Sequence, residues 1–149
     1  MFSGSFTAIV TPLKNNKVDF DAYKKIIDMQ IEAGITGIVP CGSTGESATL
    51  SHAEHDEVIQ KAVEFSKGKL KVIAGTGSNS TAEAIRLSKH AQEVGCDGVL
   101  LVAPYYNKPT QKGLYLHYKE VANAINIPVV LYNIQGRSAV NIEPKTIAQ

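Results

Sequence analysis

Short apolar runs alternate along the chain with longer amphipathic segments. Five runs rich in β-branched residues recur about every thirty residues, at 6–11, 37–40, 72–76, 98–103 and 129–132. Between these runs, apolar residues return with the period of a helix. The pattern predicts parallel strands joined by right-handed helical crossovers.

Capping signals mark the expected helices. Asp19 is the predicted N-cap of the first, while Ser51 with Glu54 and Ser80 with Glu83 have the spacing of a capping box. The predicted helices cover about 20–33, 51–68, 80–95 and 110–125, and a fifth begins around Pro144.

The resulting order is βαβαβαβαβ followed by part of a helix. A doubly wound sheet and a (β/α)8 barrel both satisfy that order. A complete barrel needs about 250 residues, so as barrel sequence this chain would hold five of the eight strands. We expect residues 1–149 to be one segment without a second domain.

Composition narrows the class of protein. A chain of 149 residues with 44% hydrophobic residues can bury a core, which argues against disorder and against a disulfide-stapled miniprotein. The formal charge is +1 and the charges are scattered, so we expect no nucleic acid partner and no membrane partner. No apolar stretch approaches the ~20 residues of a membrane span and no secretory leader is evident, which predicts a cytoplasmic protein.

Polar residues follow four of the predicted strands, where parallel α/β proteins form their sites. They occupy 41–47, 75–80, 104–107 and 132–137. A tyrosine can pass a proton between bound oxygens, and Arg137 can hold a carboxylate with two parallel hydrogen bonds. Taken alone, each segment also fits a simpler interpretation as a capped turn, a rim tyrosine or a solvated loop charge.

Metal or thiol chemistry is not expected. His52 and His55 are three residues apart, but no third ligand is spaced to complete a site, so we predict no metal and no cofactor. Cys41 and Cys96 are expected to be reduced and buried. His90 and His117 are expected on helix surfaces.

Several motifs together resemble one enzyme family. They are GSTGES followed by ATLS, VIAGTGSNST, PYYNKPTQKGLYLHY, and VVLYN with an arginine five residues after the tyrosine. In this order they resemble the dihydrodipicolinate synthase family, pyruvate-dependent class I aldolases with a (β/α)8 barrel. The resemblance covers essentially the whole chain and implies a partial barrel, the N-terminal half. N-acetylneuraminate lyases share GSTGE, but PYYN and the arginine resemble the synthase branch.

The resemblance implies a lyase that condenses pyruvate with aspartate semialdehyde in lysine and diaminopimelate biosynthesis. Pyruvate would form a Schiff base with a lysine on strand 6 and then attack the aldehyde. Thr44, Tyr106 and Tyr132 would relay protons. Ser43, in place of the usual threonine, would hold the pyruvate carboxylate with Thr44, and Arg137 would bind the semialdehyde carboxylate. The family phenol that matches Tyr106 enters a neighbouring subunit's site, which implies a homo-oligomer.

A second set of residues matches a lysine feedback site of the same family. This implied effector site consists of Ser47, Ala48, His52, His55, Asn79, Glu83 and Tyr105. Lysine is therefore a candidate inhibitor. In the alternative interpretation, Glu83 only closes its capping box and the histidines are solvated.

Two departures from the family pattern bear on activity. The Schiff-base lysine would lie beyond Gln149, and neither Lys71 nor Lys108 is placed to substitute for it, so we expect this chain to be inactive alone. Gln135 stands where the family usually has proline before the Gly-Arg pair, which leaves the loop of Arg137 less constrained.

Alternatives remain open at this point. One is another pyruvate-dependent lyase of the superfamily, acting for example on a sugar acid. Another is a non-catalytic half-barrel that serves as a scaffold or binding module. In either case, open sheet edges predict self-association, although two copies would supply ten strands rather than eight.

Overall fold

A parallel sheet with helices packed along it forms the framework of the protein. The computed structural model describes residues 2–149. Its strands are β1 (Phe6–Ala8), β2 (Leu13–Lys14), β3 (Lys17–Val18), β4 (Gly37–Val39), β5 (Lys71–Gly75), β6 (Gly98–Val102) and β7 (Val129–Tyr132). Its helices are α1 (Phe20–Glu32), α2 (His52–Ser66), α3 (Thr81–Glu93), α4 (Gln111–Asn123), α5 (Gln135–Ser138) and α6 (Pro144–Ile147), with a 3-10 turn at Ser47–Thr49.

The order of the strands decides between the two candidate folds. The large sheet runs β1-β4-β5-β6-β7, and all its pairs are parallel. Within this sheet, each strand pairs with the strand that follows it along the chain, apart from the small β2-β3 hairpin. In a doubly wound sheet the order of the strands reverses at a switch point. The order is therefore that of a (β/α)8 barrel opened after five strands, as predicted. Within residues 2–149, β1 and β7 each have one free edge.

The two faces of the sheet have different surroundings. Ile38, Val99 and Leu101 are fully buried and belong to the core between the sheet and the helices. Helix residues that include Ile27 and Val58 cover them. Alternate strand residues point to the other face, which lines the interior of the opened barrel. The helices α1 to α4 thus seal the outer face and leave the inner face available to the site.

Helix and strand boundaries mostly agree with the sequence pattern. The strand at 129–132 is confirmed at both ends, and the four long helices lie within the predicted ranges. The short helix α6 begins at Pro144, as predicted. The side chain of Ser51 accepts a hydrogen bond from the amide of Glu54 in a complete capping box.

The first predicted strand is too long, and the hairpin that follows it was not predicted. β1 ends at Ala8 instead of residue 11, and the hydroxyl of Thr11 donates to the carbonyl of Gly45 at 2.8 Å. This bond draws the chain towards the loop after β4. Asn15 and Asn16 then adopt φ angles of 53° and 59°, which are typical of a type I′ turn between β2 and β3. The Asn-Asn pair was the available signal for this hairpin.

Two expectations about side chains are wrong, those for His117 and Glu83, whereas His90 is partly exposed on the surface of α3. His117 is buried at 6% exposure, and its Nδ1 lies 2.9 Å from the Thr81 hydroxyl, because α4 turns this face towards α3. His90 is half-buried against the carbonyl of Asp56. Glu83 does not close a capping box, since the Ser80 amide donates to the Ser78 hydroxyl at 3.0 Å. The short helix α5 was also not predicted; it begins three residues after the last residue of β7.

Gly75 provides a test of how β4 and β5 fit together. A Cβ at this position would lie 2.2 Å from the Cys41 carbonyl oxygen, and backbone atoms cannot move aside as a flexible side chain can. We expect Gly75→Ala to lower the free energy of unfolding by about 2–4 kcal/mol. Urea denaturation measures the loss. Gly113→Ala in α4 is the matched control, because its nearest contact is an ordinary 3.4 Å, and a change as small as the control's would contradict this packing.

Candidate active site

The carboxyl ends of β4 to β7 open into a recess that continues into a wider cavity. The recess holds about 30 Å³ and is lined by Ser43, Tyr132, Leu100 and Val102. The wider space, called the mouth cavity here, holds about 220 Å³. Ser43 and Val102 border both spaces, and Arg137 borders the mouth cavity. The structure thus places a serine and a tyrosine together in the recess, with an arginine at its wider entrance.

The loop after β4 presents Ser43 through two unusual backbone positions. Cys41 and Glu46 both adopt φ angles of 53°, in the left-handed region. The Glu46 amide donates to the Ser43 carbonyl at 3.3 Å, so the chain turns tightly around the serine. Thr44, the next residue, is exposed and lines neither the recess nor the mouth cavity.

Tyr106 projects away from the recess that contains Tyr132. Its side chain is 89% exposed and its backbone has a φ angle of 70°. A bulky residue in this conformation carries strain. Tyr106 and Arg137 border a broad open depression beside the mouth cavity. The structure therefore groups Tyr106 with Arg137, while Ser43 and Tyr132 form a separate pair.

Arg137 is available to an anion. It is exposed, and among residues 2–149 no carboxylate lies within 4.0 Å of its guanidinium. The backbone of the short helix α5 holds it, with its amide donating to the Ile134 carbonyl at 3.0 Å. Glu46 and the buried Ser138 also line the mouth cavity. Neither of these two residues was predicted to belong to the site. The sequence indicates them only by their position next to residues that were predicted.

A second cavity of about 170 Å³ lies between the 3-10 turn and helices α2 and α3; we call it the side cavity. Six of the seven residues of the implied effector site line it: Ser47, Ala48, His52, His55, Glu83 and Tyr105. Asn79 is absent from the lining. Its carbonyl instead accepts a hydrogen bond from the Asn107 amide at 2.7 Å.

Glu83, at the wall of the side cavity, has two hydrogen-bond partners. One carboxylate oxygen lies 2.6 Å from Nε2 of His52, and the other accepts a hydrogen bond from the Ser78 hydroxyl. The Ser78 hydrogen bond is the main reason that the pKa of Glu83 lies below its usual value, and His52 adds to the effect. Glu83 is therefore an ionised acceptor at the wall of the cavity.

His55 is a buried, neutral imidazole between the side cavity and the sheet. It is only 5% exposed, so the alternative of a solvated histidine is wrong at this position. Its Nε2 lies 3.0 Å from the Gly75 carbonyl, which requires a proton on Nε2. Its Nδ1 is buried and finds no hydrogen-bond partner in the described chain. Burial lowers the pKa of His55 and opposes protonation of Nδ1.

The thiol of Cys41 is unsuited to nucleophilic chemistry. Burial raises its pKa to about 12, so the thiolate is scarce at neutral pH. Residues 2–149 contain no group of three or more His, Cys, Asp or Glu side chains that could hold a metal ion. Over the same residues, no helix combines the length and apolar character needed to cross a membrane.

Comparisons with known proteins agree on one family. A family model described as the dihydrodipicolinate synthetase family matches residues 1–149. The 4-hydroxy-tetrahydrodipicolinate synthase of Endomicrobium trichonymphae is 64% identical over 149 residues, which are 100% of this chain and 51% of that protein. The chain thus spans about half the length of the curated relatives it matches.

Two similar crystal structures contain small molecules. Dihydrodipicolinate synthase from Acinetobacter baumannii, described as complexed with pyruvate, is 49% identical with a TM-score of 0.93. The match covers 96% of this chain and 50% of that one. The enzyme from Cyanidioschyzon merolae, described with lysine bound, is 42% identical with a TM-score of 0.94, and the match covers 97% and 50% of the two chains.

The buried imidazole of His55 predicts a pH dependence of stability. Because the pKa of His55 is lower in the folded chain than its ordinary 6.5, the unfolded chain binds protons more readily. The contribution of the neutral His55 to stability is therefore present above pH 6.5 and is lost as the pH falls below it. In urea denaturation between pH 8 and 5, we expect His55→Gln to reduce this decline, since glutamine does not titrate. The measurements at pH 8 are the internal control, and an unchanged decline would show that His55 is not responsible.

Proposed function

The chain belongs to the dihydrodipicolinate synthetase family, and on that premise we propose that it is the pyruvate-binding half of a lyase that condenses pyruvate with aspartate semialdehyde. The observation that supports this most directly is the recess shared by Ser43 and Tyr132, which opens towards Arg137. We also propose that the protein is cytoplasmic and acts in lysine and diaminopimelate biosynthesis.

Pyruvate would bind in the recess through its carboxylate. The hydroxyl of Ser43 would donate to it. Thr44 lies outside the lining of the recess, so it would contribute only after the loop at 41–47 adjusts to the ligand. The recess is small and has apolar walls at Leu100 and Val102, which favours a compact ligand with one polar end. Tyr132 lies against the same space, where its phenol would exchange a proton with the ketone oxygen. The relative from Acinetobacter baumannii, described as complexed with pyruvate, supports pyruvate as the class of ligand.

Aspartate semialdehyde would enter through the mouth cavity. The exposed guanidinium of Arg137 would hold its carboxylate, with the aldehyde directed towards the recess. Tyr106 would complete the proton relay with Thr44 and Tyr132 in a homo-oligomer. Its strained backbone and its 89% exposure suit a side chain that acts across an interface between subunits.

We propose no covalent step on the lysines of this chain. Lys71 lies at the amino end of β5, opposite the mouth, and pairs with Asp97 at 2.7 Å. Lys108 is exposed in the loop after β6. Neither amine reaches the recess, so this chain alone would bind pyruvate reversibly and would not turn it over.

Lysine would bind in the side cavity as an inhibitor. The carboxylate of Glu83 would accept its ammonium group, and the hydroxyl and imidazole groups around the cavity would hold its polar ends. The lysine complex of the Cyanidioschyzon merolae relative supports this class of ligand. Ser47, Ala48, Gly77 and Tyr105 line both the side cavity and the mouth cavity, so an occupant of one would contact the wall of the other.

Pyruvate binding tests the catalytic proposal. We expect NMR titration of the 149-residue chain to show pyruvate binding that Ser43→Ala weakens about tenfold, because a hydrogen bond to a charged group is lost. Ser3→Ala, at an exposed position, should leave the affinity unchanged. Borohydride with pyruvate should give no covalent adduct on this chain. Absence of pyruvate binding would favour the scaffold alternative, and an adduct would refute the proposed lack of a nucleophile.

Lysine binding tests the regulatory proposal. In calorimetry on the assembled protein, we expect heat of binding at millimolar lysine and a loss of at least about tenfold in affinity with Glu83→Gln. Glu93→Gln, at the exposed end of the same helix, is the matched control. No heat with the unaltered protein, or equal affinity in both variants, would count against an effector site at Glu83.

A further inference from the structure

The side chain of Gln111 joins helix α4 to the segment that follows α5. Its Nε2 donates to the Asn141 carbonyl at 2.8 Å. Its Oε1 accepts hydrogen bonds from the Glu143 amide at 3.1 Å and from the Thr146 hydroxyl at 2.6 Å. One neutral amide thus satisfies three groups, because its NH2 group donates while its oxygen accepts twice.

A second amide fixes the same segment from the sheet. Asn133, directly after β7, donates from Nδ2 to the Asn141 side-chain oxygen at 2.8 Å. Its own oxygen accepts from the Ile142 amide at 3.1 Å. The Ile142 side chain is 3% exposed and belongs to the core. The segment at 141–146 is therefore attached to α4, to β7 and to the core.

Arg137 lies between these attachments, on a helix too short to hold its own orientation. α5 has four residues, and its N-cap residue Ile134 makes no side-chain capping bond. Among residues 2–149, the Arg137 side chain has no ion pair or hydrogen bond that would orient it. Gln135 occupies the first helical position, where proline would restrict the backbone. The buried Ser138 donates to the Ile134 carbonyl at 3.0 Å and holds the turn of α5 together. The direction of this turn relative to the mouth cavity still depends on how firmly the two ends of the connection are held.

We propose that Gln111 is a positioning residue for Arg137, acting with Asn133 to hold α5 against the mouth cavity so that the guanidinium faces a bound carboxylate. This inference rests on the proposed role of Arg137 in carboxylate binding. It assigns a function to a residue at the first turn of α4, where an exposed polar side chain is ordinarily only solvated.

The test compares Gln111→Ala with Gln92→Ala in the 149-residue chain. Gln92 is the matched control because its side-chain oxygen also accepts a hydrogen bond from a loop amide, that of Asn126 after α4. NMR titration with succinate, a carboxylate probe, measures affinity at Arg137. Amide hydrogen exchange at residues 137–139 measures the order of α5, and exchange in α2 measures the stability of the remainder.

We expect Gln111→Ala to raise the Kd of succinate about tenfold and to accelerate exchange at 137–139, with exchange in α2 unchanged. Gln92→Ala should change neither the Kd nor the local exchange. Wild-type affinity and wild-type exchange in Gln111→Ala would overturn the inference. Equal acceleration in α2 and at 137–139 would also overturn it, since Gln111 would then only stabilise the fold.

Arg137→Ala separates this inference from the proposed function. If succinate binds the unaltered chain and Arg137→Ala equally well, the assignment of Arg137 as the carboxylate ligand fails. The exchange rates at 137–139 then decide the positioning role by themselves. Faster local exchange in Gln111→Ala supports it, and unchanged exchange refutes it.

Discussion

The approach of the Gly75 backbone to Cys41 is the contact on which the mouth of the opened barrel depends. No side chain fits between them, because a Cβ on Gly75 would lie 2.2 Å from the Cys41 carbonyl oxygen. The carbonyl of Gly75 lies 3.0 Å from Nε2 of His55. The amide of Gly75 donates to the Pro40 carbonyl at 2.9 Å. These contacts set the position of the loop that carries Ser43 and, through His55, one wall of the side cavity. A single backbone position therefore determines the geometry of both cavities.

The polar groups of the two cavities differ in how far they are held before a ligand arrives. Glu83 is fixed between Ser78 and His52, so an ammonium ligand meets an oriented carboxylate. Arg137 has the opposite arrangement, with a free guanidinium on a backbone that is held at both ends. Preorganisation such as that of the Glu83 carboxylate lowers the cost of ordering side chains when a ligand binds. The residues shared by the two cavity walls mean that any ligand in the side cavity would contact the wall of the mouth cavity.

Prediction from sequence succeeded where one local rule determined the outcome. Apolar runs and capping signals predicted the long helices and the alternation of strands with helices, because each element buries a face of fixed period. It failed where distant residues decided. The bond from Thr11 to Gly45 shortens β1, and the packing of α4 on α3 buries His117. Glu83 had the spacing of a capping box, yet its side chain turns to Ser78 and His52, which the loop after β5 and the start of α2 bring within hydrogen-bond distance.

The sequence by itself determined the alternation of strands and helices, the family, and the strand ends that carry polar side chains. The apolar pattern alone left a doubly wound sheet and an opened barrel both possible, because the crossovers of both have the same local pattern. The family resemblance predicted the barrel, and the strand order confirms it. Only the tertiary structure placed Ser43 with Tyr132 in one recess, Tyr106 with Arg137 in another depression, and Asn79 outside the side cavity. It also showed that Gln111 reaches across to the chain after α5. These outcomes depend on contacts between residues distant in sequence, and such contacts form only when the sheet fixes the spacing of its loops.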